Sequence, residues 1–348
     1  LAIRKNKGVN RFWLDSHNLV GIISLPFHLI IAWTVIVFAF HDVLYGGLSL
    51  VYGDEPMFER GERSTIEYSI EQLPPISSYL QKVNEMTDGY HVESMAFSDL
   101  STTNPMVGIT IINEREMMRV NSGDFIYMNP YTFDVGYSSI PLKDNDIYTP
   151  LVASFFSLHF GGYAGDLGRW GYFSLGLLGA FLFYSGNLLW LEKRRQKQPL
   201  QNKSSRFMAS LTVGMCLGSI LAVMITMLSS KWLYLISAQV NNNYLICYYV
   251  VFFSALIYSF VVGAAKSAIY LQYLLFVACL LIPITSVVSF IMPSVGLWGP
   301  IYFPSMVVEF IALVFAGVFY YGAIKTKQRV YYGERNSIWA LPLTTATE

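Results

Sequence analysis

The chain has 348 residues, of which 54% are hydrophobic and only 13% charged, and its 23 basic and 23 acidic side chains cancel to a net charge of zero. With a mean hydropathy of +0.43, this composition excludes an ordinary globular protein, offers nucleic acid no basic surface, and points to the lipid bilayer as the chain's solvent. Cys216, Cys247 and Cys279 all fall in apolar runs, so neither a disulfide framework nor a cysteine metal site is implied.

Residues 1–18 form a basic N-terminal segment carrying Arg4, Lys5, Lys7 and Arg11, and residues 19–41 a first span, near the ~20 residues that a bilayer requires. The chain begins at Leu1 and not at Met, so its natural N-terminus is expected upstream, and the first span is expected to act as an uncleaved anchor. Residues 42–150 are the one sizeable soluble stretch. It opens as a turn-rich, acidic run (Gly46, Gly47, Gly53, Asp54, Glu55, Pro56), then predicts a helix over 76–86 after Leu-Pro-Pro at 73–75. Short strands are predicted at 91–97, 106–113, 119–120 and 124–128, with turns at Asn121-Ser122-Gly123 and Asn129-Pro130.

Residues 151–169 read as a surface-lying helix and a glycine elbow, because the glycines between 161 and 168 would interrupt a continuous helix. A second span over 170–191 and a basic loop over 192–206 follow. Four further spans lie within 207–324 (207–228, 244–264, 269–291 and 304–324), and a tail closes the chain over 325–348. The expected fold is a mainly α membrane protein with about six transmembrane helices and one α+β domain inserted between the first and second.

Lysine and arginine are retained on the cytoplasmic side of a membrane. Segments 1–18, 192–206, 265–268 and 325–348 hold fifteen of the 23 basic residues, which with an even number of spans puts both termini in the cytoplasm. Residues 42–168 then lie outside, with eighteen acids against six bases. That surface either attracts cations and cationic complexes or serves solubility alone.

His17 and His28 stand eleven residues apart across the start of the first span. In a helix that separation is about three turns and about 16 Å of rise, so both imidazoles leave one face at two depths. Ionisable side chains at such positions are functional candidates, and haem is the cofactor best suited to histidines in a membrane helix. His41 ends the first span, about 20 Å beyond His28 and on a different face; His91 lies in the soluble module and His159 at the elbow. Each also has a structural reading, as a cap, an interfacial residue or a buried hydrogen-bonded ring, and for His41 and His91 that reading is preferred.

Trp33, Tyr163, Trp170, Tyr172 and Phe173 fit a porphyrin face or an interfacial aromatic belt, and the belt is preferred. Arg169 suits either a bidentate contact to a haem propionate or a snorkelling anchor. Glu309, an acid in the last span, suggests a proton relay or a structural hydrogen bond. No glycine-rich nucleotide loop and no thiol motif supports nicotinamide or flavin binding.

The stretch WLDSHNLVGIISLPFHLIIAWT (13–34) resembles the PepSY-associated transmembrane proteins, an iron-regulated bacterial inner-membrane group that includes ferric-siderophore reductases. Three further stretches agree: the helix-then-strands module ending in MNPYTFDVG (128–136), LHFGGYAGDLGRWGYFSLGLLGAFLFYSGNLLWLEKRR (158–195), and KSSRFMASLTVG (203–214). The likeness covers roughly residues 10–220, and the later spans agree in hydropathy alone.

The resemblance implies a periplasmic PepSY-like domain, one or two b-type haems held by span histidines, and electron passage from an unidentified cytoplasmic or membrane donor to a ferric siderophore or other ferric chelate. The family's histidines fall on His17, His28 and His159. Where the family commonly has Thr-Gly in the first span this chain has Thr34-Val35, which narrows close packing there. Two bis-histidine haems need four histidines. An outer haem takes His159 with His28, which the motif favours, or with His41. The inner site at His17 needs another ligand such as Met or Lys, or is five-coordinate. Two other classes compete: a haem-free PepSY-type binding or regulatory membrane protein, and a transporter using Glu309 and Lys231, which the lack of an inverted repeat disfavours.

Overall fold

The computed structural model describes residues 3–4, 8–53, 66–120, 122–142, 146–198, 200–233, 235–236, 239–300 and 302–341. Lys5 and Lys7 of the basic flank, Asp54, Glu55 and Pro56 of the expected module opening, Asn121 of the expected turn and the tail beyond 341 lie outside the described residues. The elements run α1 (Val9–Ala39), α2 (His41–Tyr52), α3 (Ile76–Met86), β1 (His91–Ser98), β2 (Met106–Ile112), β3 (Asp124–Met128), β4 (Val135–Ser138), α4 (Tyr148–Phe160), α5 (Gly165–Gln196), α6 (Lys203–Leu233), α7 (Val240–Val262), α8 (Ala264–Ile291) and α9 (Phe303–Tyr332). Among the described residues, six helical stretches are long and apolar enough to cross a membrane, the first being Arg11–Tyr52.

That first stretch runs further than the sequence predicts. α1 breaks only at Phe40, and α2 carries the helix through Gly46 and Gly47 to Tyr52, where a turn-rich module opening is expected. The sequence HDVLYGGLSLVY is apolar. In a solvent without hydrogen-bonding partners, closing the backbone bonds within a helix outweighs the helix penalty of its glycines.

The chain divides into two compact units, Asn18–Phe181 and a second made of Leu1–His17 with Leu182–Glu348. In the first unit, β1 to β4 form an antiparallel sheet in sequential order. Along β2, Val107, Ile109 and Ile111 alternate into a core with Ile126 and Met128 of β3 and with Tyr79 and Val83 of α3. The Tyr79 hydroxyl donates to the Pro130 carbonyl at 2.8 Å, which satisfies the one polar atom of that buried ring. β4 is not predicted because it is only four residues long, contains Gly136 and is largely exposed. The expected strand at 119–120 is a single bridge between Val120 and Gly123. Gly123 has φ +129°, and a Cβ there would meet the Ile111 carbonyl, so only glycine fits.

The module is tied to α4 and its elbow within the same unit. The Met118 N–H donates to the Gly162 carbonyl at 3.2 Å, and the Arg119 guanidinium lies over the Phe156 ring, 4.8 Å from its centroid. α4 ends on Gly161 in the left-handed conformation. Helix resumes at Gly165, so the elbow occupies 161–164 and is shorter than expected, with Gly165 and Gly168 drawn into α5.

In the second unit α6 packs on α7 and α8, and α8 on α9. Gly214 and Gly218 of α6 face Ala255 and Ser259 of α7: a Cβ on Gly218 would come 3.0 Å from that of Ala255. The Ser259 hydroxyl donates to the Ser210 carbonyl at 2.6 Å. Small residues four apart let two backbones approach, and the resulting packing replaces the hydrophobic drive that lipid removes.

Candidate functional site

His17 belongs to the unit that contains Leu182–Glu348, and its Nδ1 lies 3.0 Å from the Ser185 hydroxyl. That hydroxyl donates its own proton to the Leu182 carbonyl at 3.3 Å. With the hydroxyl proton on that carbonyl, the ring is the donor to Ser185: Nδ1 carries the hydrogen and Nε2 keeps a lone pair. Gly186, the next residue of α5, leaves room beside the ring, since a Cβ there would stand 2.9 Å from His17 Cε1.

His28 and His159 belong to the unit Asn18–Phe181. His159, in the last turn of α4, places Nδ1 3.0 Å from the Thr34 hydroxyl. Thr34 gives its proton to the Ile30 carbonyl at 2.9 Å, shared with Ile31 at 3.2 Å, so His159 also donates through Nδ1 and holds a lone pair on Nε2. The Thr-Val departure keeps the threonine, and the hydroxyl is what this geometry uses. Phe38 flanks the His159 ring at 4.9 Å. His28 is seated against Gly179 of α5, where a Cβ would fall 2.5 Å from its Cε1, and its Nε2 is closed off from solvent. His159 meets α1 at Thr34, six residues and about 9 Å beyond His28 along the helix axis.

The remaining predicted residues stand elsewhere. His41 opens α2 with its side chain 58% exposed and its Nδ1 3.0 Å from Asp42 Oδ1. His91 begins the edge strand β1 and is exposed. Arg169 bonds Asp166 at 3.0 Å on an exposed face of α5. Trp33, Trp170 and Phe173 face outward, the orientation an interfacial belt requires. Tyr172 instead seals the elbow, its hydroxyl donating to the Leu158 carbonyl and accepting from Tyr163. Among the described residues no three His, Cys, Asp or Glu side chains gather as a metal-ion cluster. The residues that sequence reasoning missed are Gly179, Ser185 and Gly186; the available signal was the seven-residue, two-turn spacing of the two glycines on α5.

Glu309 has a partner that the sequence does not reveal. Its Oε1 lies 2.6 Å from Lys231 Nζ and accepts from the Ser286 hydroxyl at 2.7 Å, with the Lys231 side chain 4% and the Glu309 side chain 13% exposed. Lys231 also bonds Ser286 and sits 5.1 Å from the Trp298 ring centroid. Pairing neutralises two charges that neither lipid nor a dry bundle would accept singly.

An α+β module inserted between the first two of six apolar helices, with histidines on the first helix and at the elbow, defines a multi-pass membrane protein of modular type. The chain matches the family described as the PepSY-associated TM region over residues 1–193, more than half its length, and belongs to that family. α6 to α9 lie beyond the matched region. No curated protein and no solved structure matches the chain.

Proposed function

We propose that the protein is a haem-dependent reductase of the bacterial inner membrane that delivers electrons to ferric siderophores or other ferric chelates outside. His17, His28 and His159 are its iron ligands, and one or two b-type haems are held. The observation that carries this reading is the placement of two rings: His17 and His159 each set Nδ1 3.0 Å from a hydroxyl that itself reaches a backbone carbonyl, and the tautomer with Nδ1–H on that hydroxyl leaves Nε2 free to coordinate. A second partner that fixes tautomer and ring angle is what histidine ligands of metal centres require. Gly179 and Gly186 let the His28 and His17 rings pack directly on α5, where a Cβ would push them away, and so hold the rings in place.

A b-type haem, when bound, supplies one-electron redox chemistry at membrane depth. The chain's own residues orient the ligand rings and exclude water from His28. Arg169, which bonds Asp166, would exchange that partner for a haem propionate. The net change is one electron, from a cytoplasmic or membrane donor to ferric iron, and the chelate then releases the ferrous ion it holds more weakly. Both termini are cytoplasmic in this reading, and the acidic module faces the periplasm.

Absorption spectra of the detergent-extracted full chain, oxidised and then reduced with dithionite, test this. The expected result is a Soret band that shifts on reduction and is diminished in His17→Ala and His28→Ala. A featureless spectrum after haem reconstitution would overturn the reading. One arrangement favours a second reading, a haem-free PepSY-type regulatory or binding protein: the imidazoles already have protein partners in Ser185 and Thr34. It predicts that the histidine variants leave both the spectrum and the activity unchanged.

A further inference from the structure

In the unit containing Leu182–Glu348, a cavity of about 560 Å³ opens where α6 and α8 begin. Three cations line it, Lys203 and Arg206 from α6 and Lys266 from α8, and all are exposed. Among the described residues no carboxylate lines it and none of the three cations forms an ion pair. Three like charges around one opening repel each other unless an anion settles between them.

The backbone adds to this field. α7 reverses into α8 through Gly263 alone, at φ +87°, and no side chain caps the new helix. The first N–H groups of a 28-residue helix, with the positive end of its dipole, therefore belong to the cavity wall. Apart from Gln201 and Ser210 the remaining side chains of the wall are apolar: Phe207 and Phe260 lie with centroids 5.1 Å apart, and Ile338 and Leu341 stand among them. A small inorganic anion would use only the charged part. An anion carrying hydrocarbon would use both, and a cavity at the ends of membrane-crossing helices is where such a molecule is most concentrated.

We propose that this cavity binds the phosphate of an anionic phospholipid, held by Lys203, Arg206 and Lys266 at the start of α8, with its acyl chains lying along Phe207 and Phe260. Basic pockets between membrane helices suit such headgroups. The site is independent of the histidines and of any cofactor they hold.

Native mass spectrometry of the delipidated full chain, titrated with phosphatidylglycerol or phosphatidylcholine, tests this. Phosphatidylglycerol is expected to bind at least about tenfold more tightly, with Lys203→Gln, Arg206→Gln and Lys266→Gln each weakening it about fivefold. Lys325→Gln and Lys327→Gln, which alter cations outside the cavity, are expected to leave it unchanged. Phe207→Ala keeps every charge and is expected to weaken phosphatidylglycerol but not inorganic phosphate. Equal affinity for the two lipids, or equal losses from all five lysine and arginine variants, overturns the proposal. So does inorganic phosphate that displaces phosphatidylglycerol at matched concentration, which would mark a site for the free ion.

Discussion

α1 and α6 are both 31 residues long, yet they use membrane depth in opposite ways. In α6 the most apolar window is 39% buried, against 11% for the first membrane-crossing stretch. α6 spends its small residues on close contact with α7 and carries in its last turn Lys231, whose charge is met by Glu309. α1 spends its polar residues on imidazoles and on the hydroxyl that orients one of them. The first arrangement closes a bundle. The second turns imidazoles toward hydroxyls and glycines, which is why the proposed function assigns chemistry to α1 and scaffold to α6.

The largest effect should come from opening the charge pair of the bundle. Lys231→Ala or Glu309→Ala strands the other charge away from water and is expected to cost about 3–5 kcal/mol, read as a lowered thermal unfolding midpoint in detergent. Lys231→Met combined with Glu309→Leu should recover most of that loss. A double variant as unstable as either single one would show that the pair does more than neutralise itself. Gly218→Leu comes next, forcing α6 from Ala255 for about 1–3 kcal/mol.

Gly179→Ala is expected to do the reverse of Gly218→Leu, with a small change in melting and a large change at His28, because the new methyl occupies the position of its Cε1 edge. Its readout, on the proposed function, is the haem spectrum, where retention of the wild-type Soret intensity would detach His28 from the site. Thr34→Val and Ser185→Ala remove only the acceptor of an Nδ1–H. Haem affinity measured by titration should fall about tenfold to a hundredfold, with folding nearly intact.

The smallest effect concerns the sheet module. Burial holds the Asp124 carboxyl above its ordinary value, although the Arg119 N–H and the Ser139 hydroxyl both bond to it. The folded module thus binds this proton more tightly than the unfolded chain. Its stability contribution is complete below the unfolded value of about 3.9 and declines as pH climbs through the raised folded value. Calorimetry across that window should show the slope in the wild type and a flatter profile in Asp124→Asn.

Much of the module was legible in the sequence. The predicted helix over 76–86 and the strand over 124–128 coincide with α3 and β3, because an amphipathic helix and an alternating strand announce themselves by local pattern. β4 was not, since Val135–Ser138 owes its strand state to pairing with β3 and not to its own residues. α2 departs from the sequence pattern for the opposite reason: Gly46 and Gly47 signal a turn in water, and the surrounding apolar residues override that signal. The histidines could be picked out as candidates, but not the glycines and hydroxyls that receive them.

Hydropathy and charge, read along the chain alone, determined six membrane-crossing helices, their basic ends and the place of the inserted module, because each is a property of a short segment. Tertiary structure alone decided which residues meet: Lys231 with Glu309, Ser185 with His17, Thr34 with His159, and three cations around one cavity. The reason is rotational. A helix apolar on nearly every side carries little record of which face it will turn to its neighbours, so contacts between helices are fixed only when small residues and hydrogen bonds lock one packing.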